Sequence, residues 1–159
     1  MRLLVGPITA VARLAGQADH VLSLISPNAA PPTLTQPVTT LYFNDITEQH
    51  EGFIAPSAAT VEAILALRET PTLLIHCFAG VSRSTAAAYV LACAKRPAGE
   101  EGGLAAQLRS LCPEATPNAL MIALADTILG RDGAMIRAVA GIGRGIDAYE
   151  GTVIDWRLD

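Results

Sequence analysis

Residues 76–84, in the middle of the chain, place a cysteine and an arginine at the two ends of a five-residue turn, in the order His-Cys-Phe-Ala-Gly-Val-Ser-Arg-Ser. An apolar run typical of a strand precedes the turn, and a longer apolar run typical of a helix follows it. Backbone N–H groups at such a turn have no intrahelical partner, and a helix N-terminus carries partial positive charge. The pattern therefore predicts a site for an anion such as phosphate, with a thiol at its base.

The two end residues of this turn fit a nucleophile and an anion clamp. The positive field at Cys77 favours a thiolate over a thiol, and the thiolate is the nucleophilic form of cysteine. Arg83 carries a planar fork of donors that matches two oxygens of a tetrahedral anion, which lysine cannot match. Gly80 suits a position where the backbone bends or approaches a ligand. The alternative is that Cys77 is an ordinary buried thiol and Arg83 a surface charge at the start of a helix.

The segment H-C-x-A-G-x-S-R-S, followed by Thr85, resembles the phosphate-binding loop of the cysteine-dependent protein tyrosine phosphatases, in particular of their compact dual-specificity-like branch, here of bacterial type. The resemblance implies that Cys77 attacks phosphorus and that Ser84 helps the thiolate to leave. It implies that His76 helps to set the loop and the thiolate. It also implies that the phosphoryl oxygens are bound by six successive residues, Phe78, Ala79, Gly80, Val81, Ser82 and Arg83.

A general acid is needed as well, because an alkoxide or phenoxide leaves a phosphate ester slowly unless its oxygen is protonated. Asp45 is the best candidate, since it follows a short strand-like run and borders Phe43 and Ile46. Its position upstream of the cysteine resembles that of the family's general-acid loop. Glu48 and Glu51 are the nearby alternatives, and a solvated loop carboxylate without a catalytic role is another.

A second segment, residues 114–118, ends in a Pro-Asn pair that resembles the segment after the phosphate loop in the dual-specificity branch. There the asparagine buttresses the site, which the resemblance carries over to Asn118. Asn118 is equally suited to be the N-cap of the helix that starts at this point.

Together these residues predict a two-step mechanism through a cysteinyl phosphate, with Asp45 first as acid and then as base. We expect no metal and no cofactor, because the chain has no C-x-x-C, no H-x-x-x-H and no carboxylate cluster with ligand spacing. The expected substrate is a phosphorylated protein or a small phosphate ester, and phosphotyrosine is favoured. Relatives in the resembled family that prefer inositol phosphates often carry lysines inside this loop, and their absence here disfavours such polyanionic substrates.

Composition indicates one small globular domain. Of 159 residues, 51% are apolar and 16% charged, and the formal net charge of −4 gives no basic field for nucleic acid. No apolar run is long enough for a membrane span, and we expect no membrane association. Three cysteines, Cys77, Cys93 and Cys112, form a sparse, odd set that favours a cytoplasmic location over a disulfide framework, with Cys93 and Cys112 as structural residues. The oligomeric state is left open.

Alternating strand and helix signals predict an α/β fold: a central, mostly parallel sheet of four to five strands flanked by helices, like that of the dual-specificity phosphatases. We predict strands at 2–5, 20–25, 39–43 and 72–75, and helices at 8–14, 57–68, 85–94, 104–111, 118–128 and 134–140. The resemblance covers about residues 20–130. We therefore expect a catalytic domain over 1–130 and a C-terminal extension over 131–159, with residues 141–145 as a linker and Trp156 as an anchor for the tail.

Two other functions fit part of this pattern. A rhodanese-like sulfurtransferase would carry persulfide on Cys77, although the upstream Asp45 argues against it. A phospho-ligand binding module would keep the loop without turnover. Low-molecular-weight phosphatases use a similar loop near their N-termini, whereas Cys77 lies in the middle of this chain.

Overall fold

The structure, a computed structural model that describes all 159 residues, contains one five-stranded sheet in the order β3-β2-β4-β1-β5. The strands are β1 Arg2–Pro7, β2 His20–Ile25, β3 Val38–Tyr42, β4 Thr72–Cys77 and β5 Ile154–Arg157. Strands β1 to β4 pair in parallel, and β5 pairs with β1 in the antiparallel direction. The predicted fold class, a mostly parallel sheet flanked by helices, is confirmed.

Six helices connect and cover the strands. They are α1 Val11–Leu14, which lies between two 3-10 turns, α2 Ala58–Leu65, α3 Arg83–Lys95, α4 Glu101–Leu111, α5 Ala119–Leu129 and α6 Ala134–Ile142. A capping box between Ser57 and Thr60 fixes the start of α2. No helix combines the length and the apolarity that crossing a membrane would require.

The three inner strands are apolar on both faces because helices cover both sides of the sheet. Leu3 and Val5 of β1 point into the main core, which also holds most of the helical side chains. Leu4, between them, points to the opposite face and packs in a smaller cluster with Val11 and Leu14 around α1. This alternation explains why β1, β2 and β4 appear in the sequence as nearly continuous apolar runs.

Helix α3 is the central helix of the fold, and every residue of it from Arg83 to Cys93 is buried. It contacts β4 and β1 on one side and α2, α4 and α5 on the others. Its many alanines let these neighbours approach closely. The helix that follows the cysteine–arginine loop (residues 77–83) is thus buried on all sides, as predicted, and holds the loop's C-terminal end firmly.

Strand β5 is an element that the sequence analysis did not assign. Its residues alternate between buried and exposed, and Trp156 is 4% exposed and donates from Nε1 to Gln107 Oε1 over 3.1 Å. Arg2 and Asp155 form an ion pair of 2.7 Å across the β1–β5 ladder. The tail is therefore part of the sheet. The apolar residues at 154, 156 and 158 were the available signal, because a period of two is typical of a strand.

Candidate active site

The cysteine–arginine loop lies at the carboxyl end of β4, the middle strand of the sheet, and leads directly into α3. Ligands of α/β sheets bind at this end of the strands. Cys77 is the last residue of β4 and Arg83 the first of α3, so the sheet and the central helix fix both ends of the loop.

Four hydrogen bonds, from three separate segments of the chain, hold the loop's backbone carbonyls. They are Ile8 N to Phe78 O at 3.1 Å, Gly151 N to Ala79 O at 2.8 Å, Thr116 N to Val81 O at 2.9 Å and Asn118 N to Ser82 O at 3.3 Å. The N–H groups of Phe78, Ala79, Val81 and Ser82, in contrast, donate to no protein acceptor. Because they have no protein acceptor, these N–H groups are available to an anion.

The loop also requires a glycine at its centre. Gly80 has φ +71°, and a Cβ there would lie 2.5 Å from Pro7 N and 2.7 Å from Gly6 C. The backbone of the loop therefore rests directly on the end of β1. In this position the Gly80 N–H donates to Cys77 Sγ over 3.3 Å.

Cys77 lies at the base of a cleft of about 300 Å³ and is 2% exposed. Besides the Gly80 amide, its Sγ contacts Ser84 Oγ at 3.1 Å. When the sulfur is a thiolate, Ser84 must be the donor of this bond. Two donors thus face the sulfur and stabilise its negative charge.

Arg83 is held by one edge of its guanidinium group. Nη1 donates to Phe43 O over 2.9 Å and to Ser26 Oγ over 3.3 Å, and the group lies 5.9 Å from the centre of the Phe43 ring. The residue is only 6% exposed, and its Nε is buried without a hydrogen-bond partner. Because an unpaired buried donor on a cation is costly, the free edge is suited to bind a ligand with two acceptor oxygens.

Asp45 lines the same cleft as Cys77. Its Oδ1 accepts hydrogen bonds from Ser82 Oγ at 2.7 Å and Asn118 Nδ2 at 2.8 Å, whereas Oδ2 has no partner. The two alternative carboxylates, Glu48 and Glu51, are exposed, make no side-chain hydrogen bond and do not line the cleft. Among the three, only Asp45 has a carboxylate that the loop itself holds in place.

Asn118 combines the two arrangements that the sequence analysis offered as alternatives. Its Oδ1 accepts from Met121 N at 3.0 Å and caps α5. Its Nδ2 donates to Asp45 and, over 3.1 Å, to Ile46 O. One side chain therefore anchors both a helix N-terminus and the segment that carries the carboxylate.

His76 is fully buried beneath the loop, and neither ring nitrogen has a hydrogen-bond partner. Burial, together with the positive charge of Arg83, lowers the pKa of His76, so the imidazole is neutral at pH 7. Ser23, its register partner on β2, also has an unpartnered hydroxyl. His76 is therefore a neutral, buried ring that precedes Cys77 at the end of β4.

Comparison with known proteins gives matches among solved structures only. No protein-family model matches the chain, and no curated protein matches its sequence. Tk-PTP in its active form matches with a TM-score of 0.59 and 22% identity, over 79% of this chain and 88% of that one. DUSP15 matches with a TM-score of 0.61 and 16% identity, over 88% and 89% of the two chains. The Yvh1 phosphatase domain from Chaetomium thermophilum matches with a TM-score of 0.53 and 17% identity, over 84% of this chain and 93% of that one.

The chain has the fold of the tyrosine and dual-specificity phosphatases. The resemblance seen in the sequence is thus confirmed as a likeness of fold. In this phosphatase fold, the cleft at the end of β4 contains every predicted phosphate-binding residue except Gly80, whose amide faces Cys77 Sγ.

The cleft of this phosphatase fold has a further wall that was not predicted from the sequence. Residues 144–151, called here the C-terminal segment, pass the mouth of the cleft, and Ala148 lines it together with the loop. Gly151 donates to the loop carbonyl of Ala79. The start of this segment overlaps the predicted linker, residues 141–145. Its contact with the loop was not predictable, because no local pattern reveals a contact between positions about 70 residues apart.

Proposed function

We propose that this chain is a phosphomonoester hydrolase that acts through a cysteinyl-phosphate intermediate, with phosphotyrosyl proteins or small aryl phosphates as substrates. The observation that carries the proposal is the set of unpartnered donors around Cys77. Four amides of the loop and the buried Nε of Arg83 have no protein acceptor, and the residues that carry them line the same cleft as Cys77. A phosphoryl group has the charge and the number of oxygens to satisfy them.

In the first step the Cys77 thiolate attacks phosphorus. The new S–P bond forms as the ester P–O bond breaks, and the electron pair of that bond goes to the leaving oxygen. Asp45 supplies the proton to this oxygen. Because Oδ1 is occupied by Ser82 and Asn118, we assign the proton to Oδ2.

In the second step a water molecule attacks the phosphorus of the intermediate. The Asp45 carboxylate accepts a proton from this water, the S–P bond breaks, and its electron pair returns to the sulfur. Ser84 lies 3.1 Å from that sulfur and donates to the thiolate as it forms. The same two donors, Ser84 and the Gly80 amide, thus favour both the attacking and the leaving thiolate.

The lining of the cleft favours substrates with a single phosphate. Apart from Arg83, it contains no cationic side chain, and Phe78, Ala79, Val81 and Ala148 give it apolar walls. An additional phosphate would be desolvated there without a counter-charge. A singly phosphorylated ester with an apolar leaving group matches these walls better.

Turnover of p-nitrophenyl phosphate and of a phosphotyrosyl peptide tests the proposal. Wild-type protein should hydrolyse both. Cys77→Ser should bind the peptide without turnover, and Asp45→Asn should lose about 10²- to 10⁴-fold in kcat with nearly unchanged KM. Acid quenching of a burst reaction should trap phosphate on Cys77, detectable by mass spectrometry.

Thiosulfate sulfurtransfer is measured beside hydrolysis. Sulfurtransfer without phosphate release would replace the proposal by the rhodanese-like function. Tight phosphopeptide binding by an inactive wild-type protein would replace it by a binding module. Unchanged hydrolysis in Cys77→Ser would contradict the covalent intermediate.

A further inference from the structure

We propose that Tyr149 of the C-terminal segment and Phe78 of the loop form an aromatic rim that selects aryl over alkyl phosphate esters. This inference rests on the proposed function and specifies its substrate class. The two rings meet edge to face, with centroids 6.4 Å apart and planes at 79°. Phe78 lines the cleft and Tyr149 directly follows Ala148, which also lines it. No feature of the sequence links the two rings.

Both rings are unusually exposed for aromatic side chains. Tyr149 is 80% exposed and Phe78 58% exposed, although each has an apolar face. Large rings exposed together next to a cleft mark a surface that a ligand covers. Since Phe78 and Ala148 line the cleft that holds Cys77, and Tyr149 is next to Ala148, a phosphate bound at the loop would bring its leaving group toward the two rings.

The backbone that carries Tyr149 is fixed at both ends. At one end Gly145 N donates to Thr116 Oγ1 and Ile146 N to Pro113 O, both over 3.0 Å. Gly145 lies so close to Glu114 that a Cβ would overlap its carbonyl.

At the other end Gly151 N bonds to the loop, and Thr152 donates from both N and Oγ1 to the Glu114 carboxylate, each over 3.1 Å. These hydrogen bonds, above all the one from the Thr152 amide, lower the pKa of Glu114, so its carboxylate stays charged at neutral pH. Thr9 Oγ1 also donates to Glu150 Oε1 over 2.8 Å. With both ends of the segment fixed, the backbone at Tyr149 is held beside the cleft before a ligand binds, which lowers the cost of ordering this contact.

The chemistry of the leaving group decides what this rim recognises. In a phosphotyrosine the ring is separated from phosphorus by one oxygen, so it lies at the cleft mouth, within reach of both aromatic side chains. A phosphoserine has no ring to place there. Contacts between aromatic rings favour association by about threefold to tenfold, so the rim predicts a preference of that size for aryl esters.

The test compares Tyr149→Ala and Tyr149→Phe with wild-type protein on two peptides that differ only in phosphotyrosine or phosphoserine. Tyr149→Ala should lower kcat/KM for the phosphotyrosyl peptide about threefold to tenfold, mainly through KM, and leave the phosphoseryl rate unchanged. Tyr149→Phe should retain wild-type selectivity because it keeps the ring. Ile136→Ala, which removes a 46% exposed apolar side chain on α6 outside the cleft, is the matched control and should change neither rate.

Equal losses on both peptides, or no loss on either, would overturn the rim. A thermal melt shows that the Tyr149 variants are folded, as expected for a side chain that is mostly in solvent. Affinities of Cys77→Ser for phosphotyrosine and phosphoserine, with and without Tyr149→Ala, give a readout that needs no turnover. Suppose that the wild-type protein is inactive, but that Cys77→Ser binds phosphotyrosine more tightly than phosphoserine and loses this preference with Tyr149→Ala. This result would overturn the proposed function and still support the aromatic rim.

Discussion

Gly151 lies where the C-terminal segment touches the loop, and Gly151→Ala tests whether this contact positions the cleft. The added Cβ would lie 2.5 Å from Gly80 O and 3.1 Å from Gly80 C. Ordinary contacts begin at 3.4 Å, so the two backbones must separate by about 0.9 Å, the difference between 3.4 and 2.5 Å. The φ of Gly151 is outside the left-handed region, and the substitution therefore tests space alone.

Two effects determine the expected loss of stability. Overfilling a packed site costs about 1 to 3 kcal/mol. Breaking the hydrogen bond of 2.8 Å from Gly151 N to Ala79 O costs about 0.5 to 1.5 kcal/mol. The free energy of unfolding should fall by roughly 2 to 4 kcal/mol, and Tm by roughly 5 to 15 °C for a chain of this size.

Activity should fall as well, even at temperatures where the variant is folded. A displacement of about 1 Å at a catalytic group can cost on the order of 100-fold in rate, because attack on phosphorus requires alignment. We expect kcat for p-nitrophenyl phosphate to fall by about that factor in Gly151→Ala, measured well below its lowered Tm.

Gly103→Ala is the matched control. It adds the same methyl group on helix α4, where nothing lies within 4 Å of the new Cβ. Its kcat should be unchanged, and its Tm unchanged or slightly raised, since alanine is favoured over glycine in a helix by about 0.5 to 1 kcal/mol. Wild-type Tm and kcat in Gly151→Ala would refute the close contact. A lowered Tm with unchanged kcat would refute its role in positioning the loop.

Two further predictions concern the cysteines and the cap of α5. Iodoacetamide at pH 7 should alkylate Cys77 and neither of the other cysteines, because burial raises the pKa of Cys93 to about 12 and that of Cys112 to about 11. Peptide mapping by mass spectrometry checks which cysteine is modified. Modification of Cys93 in the folded protein would contradict the prediction. Asn118→Ser should keep an N-cap and hence a Tm near that of wild type, but lower kcat because serine cannot reach Asp45. Asn118→Ala should lower kcat and also lose about 1 kcal/mol of stability, and equal kcat in wild type and both variants would refute the link to Asp45.

Much of the fold follows from the sequence because its signals are local. Strand β2 has the predicted limits, and β1, β4 and the long helices differ from prediction by a few residues at their ends. Continuous apolar runs indicate strands covered on both sides, and alanine in α3 indicates close packing. Helix α2, predicted to reach residue 68, ends at Leu65. After it the chain continues in tight turns, because Leu67 N bonds to Ile64 O, three residues back rather than four.

The candidate site was predictable to the extent that it is one strand–turn–helix unit. Residue types and spacing indicated Cys77, Arg83 and the loop amides, and the position of Asp45 after a strand made it a candidate. The bonds from Ser82 and Asn118 to Asp45 were not predictable. They join positions 37 and 73 residues apart. The strand order β3-β2-β4 makes them possible, because it places the end of β3 one strand away from the loop that follows β4.

By itself, the sequence determined the chemistry of the loop: a thiol, an arginine and free amides at a strand–helix turn, since these depend on neighbouring residues and on helix polarity. Only the tertiary structure decided what surrounds them. The C-terminal segment reaches the cleft because β5 pairs with β1, joining Leu3 to Trp156 at opposite ends of the chain. Such pairing is selected by the burial of a whole sheet face, which no short stretch of sequence records.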